Sequence, residues 1–191
     1  MPPMENVWQY PVLGVMLVAA AIADVRRGKI PNWLTYSGVA VGLIGNALVG
    51  GWGGDSDKLG LLRSLGGLAA GFLPMLAVWM AGGIGGGDAK LAGAVGALAG
   101  WRFALATLLF GLLAAMVMAV IVMLRRRIFR RTLARVGRFV YLAFTPGKPA
   151  DPTSADSPKI PFGLALCLGA CVALVEVFWR GGGAPKWFLG I

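Results

Sequence analysis

The chain has 191 residues, of which 58% are hydrophobic and only 14% charged. A soluble domain carries about 25% charged residues, and a fold of this length has too little polar surface here to cover so much apolar mass. That excludes a cytosolic enzyme or a disordered chain and leaves an integral membrane protein. Lys plus Arg is 18 and Asp plus Glu is 8, a net charge of +10. Most of these cations sit in short loops beside apolar runs, so they read as membrane orientation signals rather than as a nucleic-acid surface. There is no His, which removes every His-based metal site and every His acid or base. No metal and no cofactor are expected.

A bilayer span needs about 20 apolar residues, with a range near 17–25. The first run extends from about Trp8 to Ala23. Glu5 precedes it and Arg26 and Arg27 follow it, the reverse of a signal peptide, so it reads as a retained helix with its N-terminus outside. The second run covers about Trp33 to Val49. The Gly-rich segment Gly50 to Ser64, with Asp55, Asp57 and Lys58, reads as an exposed outer loop. The third run is about Leu65 to Ala81. Gly82 to Asp88 is then a break of unusual flexibility. A short run, Leu91 to Ala99, is closed by Gly100-Trp101-Arg102, and Phe103 to Leu124 forms the fifth. Seven arginines between Arg125 and Arg138 follow, suited either to an amphipathic helix on an anionic lipid face or to a plain topogenic loop. A Pro/Ser/Asp-rich stretch, Thr145 to Pro158, reads as mobile. The last run is about Phe162 to Trp179. Cys167 and Cys171 lie within it, four apart on one helix face, and read as small packing residues rather than as a disulfide or zinc site.

Six crossings place 13 of the Lys and Arg residues inside and 5 outside, which obeys the positive-inside bias. The expected fold is therefore an all-α integral membrane protein. It is a single domain over residues 1–191, a bundle of about six transmembrane helices with both termini outside, loop 50–64 outside and the basic loop 125–160 cytoplasmic. The fourth span is the irregular one. Lys90 to Gly100 gives about 16 Å at 1.5 Å per residue, short for a ~30 Å core.

Acidic residues are few enough to weigh singly. Glu5, Asp55, Asp57, Asp151 and Asp156 lie in polar segments, and Glu176 stands four residues before Arg180, spaced as a helical ion pair. Asp24 and Asp88 differ. Each sits at the edge of an apolar span, and the topology puts both at the inner membrane face, where an ionisable residue is a functional hypothesis by default. Two carboxyls brought together in a low-dielectric pocket hold a single proton over a useful pH range. One can draw a proton from water while the other polarises a peptide carbonyl, which is aspartic protease chemistry. The bland alternatives are an N-capping Asp88 on a flexible turn and a topogenic basic turn capped by Asp24. Pro31 fits the first turn of the second helix.

Asp24 followed by Ile30-Pro31-Asn32, then Gly85-Gly86-Gly87-Asp88-Ala89-Lys90-Leu91, resembles the type IV prepilin peptidase family of G-x-G-D intramembrane aspartic proteases. A third stretch, Lys159-Ile160-Pro161-Phe162-Gly163-Leu164-Ala165, is similar to the Pro-Tyr/Phe-Gly-x-Ala segment opening that family's last span. The resemblance runs from about residue 10 to 180. It implies Asp24 and Asp88 as the catalytic aspartates, Gly85, Gly86 and Gly87 as the loop presenting Asp88, and Ile30, Pro31 and Asn32 as support for Asp24. Lys90 matches the family's Lys after the Asp, without a role assignable from physics, and Pro161, Phe162 and Gly163 match the last-span motif.

The resemblance also implies a prepilin-like substrate with a short basic leader, cut at the cytoplasmic face of the bacterial inner membrane just before an apolar helix. Membrane lipid surrounds the enzyme, and pilus assembly and protein secretion machinery are the implied surroundings. Many relatives begin with a segment bearing two C-x-x-C pairs, associated with N-methylation of the mature pilin. This chain has none and its first span starts within ten residues, so it resembles the minimal branch serving Flp (tight-adherence) pili. Peptidase without methyltransferase activity is expected. Two other readings stay open. One is a G-x-G-D protease for another membrane substrate. The other is a non-enzymatic transporter or assembly factor built on glycine-broken helices, although no internal repeat supports it.

Overall fold

The computed structural model describes residues 8–53, 59–127 and 162–179, and among them every regular element is a helix. They are α1 (Gln9–Arg27), α2 (Asn32–Gly50), α3 (Leu61–Met80), α4 (Gly86–Arg125) and α5 (Phe162–Trp179). By length and composition, α1 to α4 are apolar enough to cross a membrane. Helices suit that solvent because they satisfy their own backbone N–H and C=O groups where water is absent. Large side chains such as Val15, Ile44, Leu48, Leu73 and Met116 are exposed. That surface would be ruinous in water and is ordinary against lipid.

The spans begin and end where local chemistry stops them. α1 closes on Gly28 in the left-handed region (φ 60°), whose N–H donates to the Asp24 carbonyl at 2.8 Å, a glycine C-cap. Pro31 precedes α2 in an extended conformation, one position earlier than the first-turn place expected of it. α3 carries Pro74 within its length. Its end is closed by Gly82 (φ 78°) and Gly83, whose N–H groups donate to the Trp79 and Val78 carbonyls.

Two expectations need correcting here. The outer loop is shorter than its composition suggests, because Leu61 to Ser64 already belong to α3 and Ser64 is fully buried. Ser64 is polar in sequence but donates its hydroxyl to the Ala97 carbonyl, and Asn46 donates to that same carbonyl at 2.9 Å and to Leu98 at 3.3 Å. Ala97 and Leu98 lie in the last turn before a break, where a helix leaves carbonyls short of backbone donors. The fourth and fifth apolar runs are also not joined by a Gly-Trp-Arg loop. Only Gly100 leaves helical geometry (φ 83°, ψ 171°), and Trp101 and Arg102 are helical, so two helices abut across a one-residue kink within α4. The first of them starts at Gly86 rather than near Lys90. Its 86–99 stretch spans roughly 21 Å at 1.5 Å per residue.

That stretch is the centre of the fold. Leu91, Ala94, Val95, Ala97 and Leu98 are all completely buried. Its neighbours approach through small residues. A Cβ on Gly67 would strike the Gly96 carbonyl, one on Gly71 the Ala92 carbonyl, and one on Gly42 the backbone at Ala97. Gly38/Gly42 and Gly67/Gly71 are thus two small-x-x-x-small stripes that seat α2 and α3 against α4, the close packing that holds helices together in lipid. Elsewhere α1 packs on α5 and on α2, and α2 on α3. Of the two cysteines, Cys167 is buried and donates its thiol to the Leu17 carbonyl at 3.2 Å, whereas Cys171 is exposed. The packing role expected of both therefore belongs to Cys167.

The contacts gather into two compact units. One comprises Met1–Ala114 with Pro161–Ile191 and holds all the helix packing above. The other is Ala115–Ile160, described only as far as Arg127, where the end of α4 presents exposed Met116, Val117, Ile121 and Leu124. The expectations for Glu5, Asp55, Asp57, Lys58, most of the arginine segment, the Thr145 to Pro158 stretch and Pro161 lie outside the described residues, as does Arg180, the partner expected for Glu176.

Candidate active site

Among the described charged residues only Asp24 and Asp88 are buried, at 7% and 9% exposure. Placing an ionisable carboxyl in such a setting is unfavourable unless other groups compensate. Four helix ends supply the surroundings. Asp24 lies in the last turn of α1 and Asp88 in the first turn of α4. The N-termini of α2 and α5 complete the cluster.

Asp88 is the third residue of α4, and its N–H donates to the Gly85 carbonyl at 3.1 Å. It is therefore not the N-cap that one reading of the sequence allows, since the helix starts two residues earlier. Gly85 stands just before the helix, and a Cβ there would lie 3.3 Å from the Asp88 carboxyl oxygen Oδ2. Gly86 faces the Trp79 indole, with 3.3 Å between a Cβ at Gly86 and Nε1. Gly87 faces Ile30, whose Cβ would be 3.3 Å away. Three successive glycines thus let the start of α4 sit directly against Asp88's own carboxyl, the end of α3 and the α1–α2 loop.

Asp24 is held from the other side. Its Oδ2 accepts a hydrogen bond from the Leu164 backbone N–H at 3.0 Å, a donor at the first turn of α5, where N–H groups lack intrahelical partners. Gly163 makes the approach possible. A Cβ there would meet Asp24 Oδ2 at 2.8 Å and Ile30 Cδ1 at 2.9 Å. Ile30 is itself buried and touches both Gly87 and Gly163, so it wedges the loop between the two helices that flank the aspartates. Pro31 and Asn32 continue that loop into α2, and the Asn32 carboxamide accepts from Lys90 Nζ at 2.9 Å. Phe162 is the first residue of α5 and is half-buried.

The structure thus brings Asp24, Ile30, Pro31, Asn32, Gly85, Gly86, Gly87, Asp88, Lys90, Phe162 and Gly163 to one end of the bundle. Sequence reasoning missed the Leu164 N–H, which no side-chain pattern could reveal, and the Trp79 and Tyr36 rings beside Gly86 and Lys90. It also missed a groove of about 290 Å³ lined by Ala21, Ile22, Val25, Arg26 and Leu164. The groove lies along α1 and the start of α5, apolar apart from Arg26.

The type IV leader peptidase family model matches residues 12–123, more than half of the chain. The chain belongs to this family. A leader peptidase acts on a protein substrate, and a family of aspartic-type peptidases fits a site whose buried ionisable side chains are two carboxyls. The matched span holds both aspartates but ends before α5, so Gly163 and the Leu164 N–H join the site through the fold. No significant match was found among curated proteins or solved structures.

Proposed function

We propose that this leader peptidase is an intramembrane aspartic endopeptidase that removes the short basic leader from prepilin-like precursors, with Asp24 and Asp88 as its catalytic pair. The observation that carries the reading is the burial of these two carboxyls, alone among the described charged residues, at helix ends that meet around Ile30. In the proposed step the pair shares one proton. The ionised carboxylate takes a proton from a water, whose oxygen attacks the scissile carbonyl carbon. The protonated partner donates its hydrogen to the carbonyl oxygen as negative charge develops there. Collapse of the tetrahedral intermediate breaks the C–N bond, and the departing amine takes up a proton. Gly85, Gly86, Gly87, Ile30, Pro31, Asn32 and Gly163 hold the two carboxyls in place through the contacts described above.

The membrane placement belongs to the same proposal. Counting α4 as two crossings that meet at Gly100 gives six spans in one peptidase domain, with both termini outside and the aspartates at the cytoplasmic face of the bacterial inner membrane. Arg26, Arg27 and Lys29 beside Asp24, and Lys90 beside Asp88, agree with the positive-inside bias.

The test is the gel mobility of a tagged Flp-type prepilin co-expressed with wild type, Asp24→Asn or Asp88→Asn at matched membrane levels. Asparagine keeps the shape and removes the titratable proton. The expected result is a shortened precursor with wild type and a full-length one with either variant. Cleavage by either variant would refute the catalytic pair. Failure of wild type to cleave would refute the substrate class.

A further inference from the structure

Lys90 has no place in the chemistry above, although it stands two residues after Asp88. Its ammonium donates to Asn32 Oδ1 at 2.9 Å and lies 5.1 Å from the centroid of the Tyr36 ring. Asn32 and Tyr36 are one helical turn apart at the start of α2, so a single cation engages both at once. These contacts cross from α4 to α2. The loop that enters α2 carries Ile30, the side chain packed between Gly87 and Gly163, and Gly163 is the residue that abuts the Asp24 carboxyl. The residue that Lys90 holds, Asn32, is thus joined through Pro31 in the chain to Ile30, which lies with the Asp24 carboxyl around Gly163, while Asp88 lies within one turn of Lys90 on α4.

We propose that Lys90 is a positioning residue that fastens the α1–α2 loop to the start of α4 through Asn32 and Tyr36, and so sets the separation of Asp24 and Asp88. The bond is at the surface, where such a contact contributes little to global stability. Its effect is on register, and a misplacement near 1 Å at a reacting group can cost about a hundred-fold in rate. The inference deepens the peptidase reading and rests on it for its kinetic arm alone.

The kinetic arm compares Lys90→Met, Lys90→Arg, Asn32→Ala and the Lys90→Met/Asn32→Ala double variant on the same prepilin. Met keeps the length and loses the donor. Arg keeps the charge, a donor and the ring contact. Lys90→Met is expected to lower kcat about ten-fold or more with KM nearly unchanged, Lys90→Arg to recover most of the rate, and the double variant to be no worse than the worse single one. A wild-type rate in Lys90→Met overturns the proposal. So does a damaged Lys90→Met beside a normal Asn32→Ala, because the cation would then act on the aspartates or the substrate directly.

A structural arm needs no substrate. Ile30→Cys with Gly87→Cys places two Cβ atoms about 3.3 Å apart, close enough to be bridged. In a Cys167→Ala/Cys171→Ala background the disulfide is expected to form readily when Lys90 is kept. It should form several-fold more slowly after Lys90→Met, and readily again after Lys90→Arg. Equal rates in all three overturn the proposal. If wild type cleaves no prepilin, the function reading fails while this arm still decides the role of Lys90.

Discussion

Gly163 offers the sharpest test of how the site is built. Gly163→Ala adds one carbon, 2.8 Å from Asp24 Oδ2 and 3.0 Å from Asp24 Cγ, with Ile30 Cδ1 at 2.9 Å on its other side. Ordinary contact begins at 3.4 Å, so the carboxyl must retreat by roughly 0.6 Å. Ile30 cannot give way freely, because it is buried and packed on Gly87. The retreat also pulls Oδ2 from the Leu164 N–H, now at 3.0 Å. With ~1 Å of misplacement costing about a hundred-fold, the expected loss is on the order of ten-fold in cleavage rate, at unchanged membrane levels. Quantified conversion of prepilin to mature pilin over time would measure it. Gly66→Ala is the control. It adds the same carbon in α3 where nothing lies within 4 Å, and should keep the full rate. Full activity in Gly163→Ala would show that Asp24 does not work from the position seen here, and the reasoning would fail with it.

Two further predictions concern the frame rather than the chemistry. Gly67→Ala drives a Cβ into the Gly96 carbonyl, backbone against backbone, so α3 should separate from α4. A loss of about 1–3 kcal/mol is expected, seen as a lower thermal midpoint in detergent, and an unchanged midpoint would contradict the packing. Asn46→Leu removes the donor to the Ala97 and Leu98 carbonyls, and about 1–3 kcal/mol should be lost for buried acceptors left under-satisfied. Ser64→Ala should cost less in the same measurement, because Asn46 still serves Ala97. The reverse order would refute the assignment of Asn46 as the principal donor.

Burial of the inner stretch of α4 explains why some features were legible in the residues and others were not. The apolar runs were plain because lipid demands about 20 apolar residues in a row, and α1, α2, α3 and α5 fall within a few residues of them. Asp24 and Asp88 stood out because carboxyls at the edge of such runs are rare. Ser64 and Asn46 were passed over because a polar residue in a span looks either exposed or incidental until its carbonyl partner is known. The stripes Gly38/Gly42 and Gly67/Gly71 did carry a readable small-x-x-x-small signal, and only the fold shows which helix they receive. The run Gly100-Trp101-Arg102 looked like a loop because its polarity resembles one, whereas a single residue with φ 83° is enough to turn the chain.

The sequence by itself determined that the protein belongs in a membrane, and it singled out two of eight acidic residues, Asp24 and Asp88, as the carboxyls at the edges of apolar runs. Those conclusions depend on composition and on local spacing, which a linear chain displays directly. Tertiary structure alone decided how the Asp24 carboxyl is held. Its partner is a backbone N–H from Leu164, 140 residues away in the chain, and backbone donors are the same at every residue except proline. The closeness of that approach depends on the missing side chain of Gly163. Only the packed helices show which atom fills the space that an absent Cβ leaves open.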